Sequence, residues 1–94
     1  MKHNFEWDEE KAKANLKWHK VSFDEATTVF SDSFSITIPD PDHSTDEERY
    51  LDIGTSDKSR ILVVSYTERG TNIRIISCRK AEPTERRHYE EGNE

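Results

Sequence analysis

With 94 residues, 36% of them charged and 31% hydrophobic, the chain has material for one small domain whose stability is on the order of 5–8 kcal/mol. No apolar run reaches the length of a membrane span and no signal peptide is evident, so neither a membrane span nor Sec export is expected; Cys78 stands alone, which leaves no internal disulfide and fits a reducing cytoplasm. The formal net charge of −6 argues against non-specific nucleic-acid binding, which depends on counterion release by basic residues.

In chain order, residues 1–4 read as a loose end and Phe5-Glu6-Trp7 as a short extended piece covering one edge of the core. Asp8 is an N-cap, and Glu9 and Glu10 sit in the first turn, where the helix dipole favours carboxylates. The helix this predicts, about Glu9 to His19, places Trp7, Lys11, Ala14, Trp18 and Val21 on one side and Ala12, Leu16 and Phe23 on a neighbouring stripe. Lys13 and Lys17 repel each other at i, i+4 and face water or a partner. Ser22 and Glu25 fit a capping box with Val21 and Ala26 as its staple, opening a short helix from Phe23 to Phe30 that buries Ala26, Val29 and Phe30.

A strand over Ser35–Ile38 stops at Pro39. The acidic loop that follows, Pro39–Glu48, carries Asp40, Asp42, Ser44 and Asp46 at a spacing similar to a calcium loop. Thr45 and Leu51 stand where such a loop needs Gly and Glu, so no metal is expected. Arg49–Thr55 is the next strand, with Leu51 and Ile53 inward against Tyr50 and Asp52. Pro83 and Thr84 open a last helix through Tyr89–Glu91, and Gly92 is its stop.

Between them lies the densest apolar stretch, Arg60–Ala81, two Ile/Val-rich runs around Gly70 that predict a β-hairpin. A two-residue turn at Arg69-Gly70 pairs Glu68 with Thr71, Tyr66 with Ile73 and Val64 with Ile75. One face then collects Leu62, Val64, Tyr66, Ile73 and Ile75 as core. The other collects Ile61, Val63, Ser65, Thr67, Arg74, Ile76, Cys78 and Lys80. A longer loop with a bulge re-pairs these faces. The order α, α, β, β, β, β, α implies an α+β domain, residues 1–94 with an ordered core of about 5–91. Its sheet is four-stranded and mostly antiparallel, with two N-terminal helices and one C-terminal helix packed on one face.

Charge is unevenly spread. Residues 1–57 hold six basic and fourteen acidic side chains, whereas residues 60–87 hold seven basic and three acidic. There is no P-loop, no GxGxxG and no CxxC pair, and the four histidines lack metal-ligand spacing. His19 reads as a capping residue at a helix C-terminus. What remains is Glu68, Arg74, Arg79 and Lys80, with Tyr89 close behind. Cleavage of RNA by its own 2′-OH needs a base, cations for the phosphorane and an acid for the leaving 5′-oxygen. Arginine suits the second role through its planar fork of donors. Glu68 suits the first, and Lys80 or Tyr89 the third. The competing reading of these arginines is a solvated sheet face.

The sequence resembles the BrnT toxins of bacterial type II toxin–antitoxin operons. The resemblance starts at Phe5-Glu6-Trp7-Asp8 with Lys11, Ala12, Asn15 and Leu16. It runs through His19, Val21-Ser22-Phe23, Glu25-Ala26, Val29-Phe30, Pro39-Asp40, Asp42-His43-Ser44 and Glu47-Glu48-Arg49. It is tightest at Thr67-Glu68-Arg69-Gly70, Ile73-Arg74-Ile75-Ile76-Ser77 and Arg79-Lys80-Ala81, and closes on Glu85-Arg86 and Tyr89-Glu90. It implies a RelE-like α+β fold, a cytoplasmic, metal-independent ribonuclease without cofactors, and arrest of translation. It also implies a BrnA-type ribbon-helix-helix antitoxin partner, with operator DNA bound only through that antitoxin.

Three residues depart from the family pattern. Lys20 stands where a glycine follows the first helix's histidine, which costs about 1 kcal/mol if the backbone there is left-handed. Trp18 replaces a basic residue, either adding core or exposing an aromatic to a partner, and Cys78 replaces a small one. The expected catalytic set is therefore Arg74, Arg79, Lys80 and Glu68, with Arg49, Arg69 and Tyr89 contacting substrate. The alternative is a non-catalytic interaction or co-repressor subunit, binding through the Asp40–Glu48 loop and the Lys13/Lys17 face.

Overall fold

The computed structural model describes residues 4–43 and 47–92. Ser44 and Asp46 of the calcium-like loop lie outside the described residues. The elements run β1 (Asn4–Glu6), α1 (Glu9–His19), α2 (Phe23–Thr28), β2 (Ile36–Pro39), β3 (Arg49–Thr55), β4 (Ile61–Arg69), β5 (Asn72–Lys80) and α3 (Pro83–Glu91). One five-stranded sheet has the order β1-β5-β4-β3-β2. The fold is α+β with three helices, but the four-stranded, mostly antiparallel expectation is corrected to a mixed sheet. Asn4–Glu6 is a full strand, parallel to β5, with Phe5 opposite Ile73 and Glu6 opposite Arg74. A three-residue strand carries too little alternation to be told from an extended arm until its partner is known. No helix among the described residues is long and apolar enough to cross a membrane.

The hairpin turn lies one residue later than expected, so the partners next to it shift by two residues. Arg69 pairs with Asn72 and Glu68 with Ile73, so Gly70-Thr71 makes the turn, with Gly70 at φ +61. A bulge on β5 then places Tyr66 opposite Ile75 but Ser65 opposite Ser77, leaving Ile76 as the extra residue. The bulge inverts the side-chain alternation beyond it. Cys78 therefore joins the core, where burial pushes its thiol up to about 12, and Lys80 leaves the Arg74 face.

The core lies between the sheet and α1–α2. Leu62, Val64, Tyr66, Ile73 and Ile75 are buried as the pattern predicts, against Val21, Phe23, Ala26 and Val29. Phe30 packs edge-on to Tyr66 with ring centroids 4.9 Å apart, and Phe5 tilts against Phe30 at 5.4 Å. Gly54 permits the close approach: a Cβ there would stand 3.0 Å from Val29 Cγ1 and Ser35 Cβ. In β3 it is Tyr50 that packs on this core and Asp52 that is buried beside it, accepting from Thr37 Oγ1 at 2.6 Å. Leu51 and Ile53 point to the opposite face. That face also has a core to build, because α3 crosses it instead of joining the other helices. Tyr89 of α3 bonds Thr55, and Gly92 lies against Ile36.

Two polar devices hold the helices. Within α1 only Ala12 of the two apolar stripes reaches the core; Leu16 and Trp18 are exposed, and the buried residue is Asn15. β1 stops at Glu6, so the rest of the β5 edge lacks a strand partner, and the Asn15 amide supplies one. Its Nδ2 donates to Cys78 O (2.8 Å) and Val21 O (2.9 Å), and its Oδ1 accepts from Cys78 N (3.0 Å). In α2, Ser22 Oγ caps the Glu25 amide at 3.0 Å, but the Glu25 carboxylate does not return the bond. It turns inward to Arg60 and to Ser56 Oγ, tying α2 to the β3–β4 turn.

Candidate active site

Cross-strand partners share a face, so register locates the polar side chains. Arg49 pairs with Thr67, Thr67 with Arg74 and Arg74 with Glu6, which draws four strands into one row on the face away from α1 and α2. The next row is Leu51, Ser65 and Ser77; the next is Ile53, Val63 and Arg79, where α3 begins to cover the sheet.

Arg74 and Glu6 form the centre. Arg74 Nη1 donates to Glu6 Oε2 at 2.8 Å, while Asn72 Nδ2 donates to Glu6 Oε1 at 3.0 Å. The amide of Asn72 and the guanidinium of Arg74 hold the Glu6 carboxyl below the usual carboxylate range, so it is ionised at neutral pH. Arg74 commits one nitrogen, Nη1, to this bond, and its side chain stays partly exposed. Beside it, Arg69 grips Glu47 through Nε (3.0 Å) and Nη2 (2.8 Å), lowering the Glu47 carboxyl in turn. Thr67 is buried, its hydroxyl donating to Glu48 O at 2.8 Å.

Arg79 shares this face, but about 13 Å along the sheet from Arg74, since their β4 partners Val63 and Thr67 are four residues apart. Both its terminal nitrogens bind Glu85 of α3, at 2.7 and 2.8 Å, and Glu85 also accepts from the Glu82 amide. Arg79 thus anchors the start of α3. Tyr89 secures the far part of that helix: its hydroxyl donates to Asp32 Oδ2 (2.6 Å) and accepts from Thr55 Oγ1 (3.0 Å). Burial and the Asp32 carboxylate raise its pKa.

The structure therefore brings together Arg49, Arg69 and Arg74, sets Arg79 at a distance on the same face, and separates Lys80 and Glu68. Lys80 is opposite Leu62 and Glu68 opposite Ile73, both on the face that carries the core. The carboxylate that meets Arg74 is Glu6. Sequence reasoning passed over it, although alternation within Phe5-Glu6-Trp7, with Phe5 inward, sends Glu6 to the opposite face. Asp40, from the calcium-like loop, is bonded by His43 Nδ1 at 2.9 Å.

A family model described as the ribonuclease toxin BrnT of type II toxin–antitoxin systems matches residues 7–85. The chain belongs to the BrnT family. Membership makes it one of a family of ribonuclease toxins, with RNA as target and an antitoxin as partner. The match spans Arg49, Arg69, Arg74 and Arg79, and begins one residue after Glu6. Among solved structures, the ribonuclease toxin BrnT of Brucella abortus aligns with a TM-score of 0.67 at 23% identity, covering 86% of this chain and 99% of that one. At that identity the likeness shows a shared BrnT fold. No curated protein sequence matches the chain.

Proposed function

We propose that the chain is a metal-independent endoribonuclease that cleaves RNA through the RNA's own 2′-hydroxyl on the open face of the sheet. The row Arg49–Thr67–Arg74–Glu6 carries this reading. The 2′-oxygen forms a bond to phosphorus, its proton passes to the ionised Glu6, and the bond to the 5′-oxygen breaks, that oxygen taking a proton from water. Arg74 binds the phosphorane oxygens with donors not used by Glu6, the stabilisation that fixed cations supply best in a transition state. Arg49 and Arg69 flank it as phosphate contacts, and Arg79 contacts the strand farther along. Glu6 takes the base role that the sequence suggested for Glu68. Tyr89 and Lys80 fall outside the reacting group, the first through its bonds to Asp32 and Thr55, the second through its face.

The partner is a BrnA-type ribbon-helix-helix antitoxin that covers this face. With a net charge of −6, the toxin leaves the operator contacts of an autorepressing complex to the antitoxin. One observation favours the alternative of a binding subunit without catalysis: Arg69, Arg74 and Arg79 each face a carboxylate, which weakens their pull on phosphate.

The deciding experiment is cleavage of radiolabelled RNA by the purified protein in EDTA, with Arg74→Ala and Arg79→Ala beside it. The expected result is cleavage that survives EDTA, falls by at least about 100-fold in Arg74→Ala and falls less in Arg79→Ala. A folded wild type that cleaves neither free nor ribosome-bound RNA establishes the binding subunit instead.

A further inference from the structure

Past its first two residues, α1 has a composition unlike the rest of the molecule. Residues 11–20 carry Lys11, Lys13, Lys17 and Lys20 and no carboxylate, within a chain whose net charge is −6. Among them Trp18 is 73% exposed, with Lys17 Nζ 5.3 Å from its ring centroid. Trp18 and His19 line an open groove with Lys11, Ala14, Asn15 and Ile76. Ile76 is the bulged residue of β5, two positions beyond Arg74, so the groove lies along the β5 edge just past the end of β1 and of the Arg74 row. Its walls are fixed, because Asn15 bonds α1 to Cys78 on that edge.

We infer that the α1–β5 groove is a second contact for single-stranded RNA, in which Trp18 stacks on an unpaired base and Lys11 and Lys17 hold the neighbouring phosphates. This rests on the reading of the chain as an RNA-cleaving toxin. An aromatic face interleaved with cations is the chemistry that binds single strands without regard to sequence. It also resolves a difficulty of the open face, whose arginines share their charge with Glu6, Glu47 and Glu85. The lysines of α1 supply the phosphate attraction that those pairs reduce, on the edge a strand must cross after leaving Arg74. A basic helix suits a polyanion, and the exposed indole suits a base.

The test is fluorescence anisotropy of a 2′-O-methyl RNA 12-mer, which cannot be cleaved, with the whole chain and its Trp18→Ala, Trp18→Phe, Lys17→Gln and Arg74→Ala variants. Trp18→Ala is expected to weaken binding by about five- to a hundred-fold, the range for loss of one base–aromatic stack, and Trp18→Phe to restore most of it. Lys17→Gln should reduce the salt dependence by about one phosphate contact. Unchanged affinity in Trp18→Ala, with affinity lost in Arg74→Ala, overturns the groove while leaving the open-face site standing. Unchanged RNA affinity together with weakened binding of the cognate antitoxin also overturns it, making the patch a protein-docking face. A wild type that binds no RNA overturns the groove, and the open-face reading falls with it where the same protein cleaves neither free nor ribosome-bound RNA.

Discussion

Two arginine–carboxylate pairs, Arg60–Glu25 and Arg74–Glu6, lie on opposite sides of the same sheet. Both arginine side chains are 29% exposed; the difference is in the acids, with the Glu25 side chain at 1% and that of Glu6 at 31%. Glu25 is locked between Arg60 and the Ser56 hydroxyl, inside the layer that joins α2 to the β3–β4 turn. Glu6 is carried on a three-residue strand and bonded by one nitrogen of Arg74 and the amide of Asn72. A buried charge left alone is costly, so the first pair cannot open. A half-exposed pair contributes little and is easily exchanged. A phosphate can replace Glu6 as the partner of Arg74, whereas nothing can reach Arg60 in that way. The same two residue types thus make a fastening on one face and a candidate site on the other.

The largest expected effect breaks the fastening. Arg60→Ala leaves Glu25 without its cation and should cost about 3–5 kcal/mol in urea denaturation, most of the stability of a domain this size. Arg74→Ala should cost less than about 1 kcal/mol while removing RNA cleavage. Equal losses of stability in the two variants would erase the contrast.

Asn15→Ala comes next. It strips partners from the amide and carbonyl of Cys78 and from the carbonyl of Val21, all on the buried side of α1, and should cost about 2–4 kcal/mol. A loss near zero would show that water takes over the β5 edge.

Acid distinguishes the pairs by titration. The Arg60 bond, acting against burial, holds the Glu25 carboxyl below its ordinary value of 4.5. A depressed folded pKa contributes stability above the unfolded value, and this is lost as pH falls through the folded one. Unfolding monitored by circular dichroism should therefore show stability falling below about pH 4.5, with a shallower fall in Glu25→Gln. Glu6 is lowered too, but its exposure makes Glu6→Gln the smaller change in slope. An identical acid profile in wild type and Glu25→Gln would remove Glu25 from this role.

The smallest effect concerns Lys20, which ends α1 in the left-handed region at φ 61 and ψ 30. Lys20→Gly relieves that strain and should raise stability by about 1 kcal/mol, read as a higher Tm. An unchanged or lower Tm would mean that the Lys20 Nζ bond to Lys17 O, at 3.0 Å, offsets the strain.

Much of this was legible in the chain because it is local. Asp8 caps α1 through the Glu10 amide and Ser22 caps α2, the β3 limits Arg49–Thr55 are as expected, and α3 opens at Pro83. The hairpin core also followed from alternation over Leu62–Ile75. Of the candidate site, the grouping of Arg74 with Arg49 and Arg69 on one face was legible. Glu6 was missed because its relation to Arg74 depends on a parallel pairing between residues 68 positions apart. Lys80 left the Arg74 face because a single bulge at Ile76 intervenes, and no residue there announces one. Trp18 and Leu16 fit an apolar stripe at helical spacing, yet α1 turns Asn15 inward, since an unpaired strand edge demands a hydrogen-bonding partner more than the core demands another ring.

By itself the sequence determined which segments are helix and strand, which hairpin residues are core, and the family to which the chain belongs, because caps, alternation and ordered motifs act over a few residues. Only the tertiary structure decided that β1 completes the sheet, that α3 takes the opposite face, and that Glu6 faces Arg74. Those depend on register and packing between distant segments, where one inserted residue reverses every side chain beyond it.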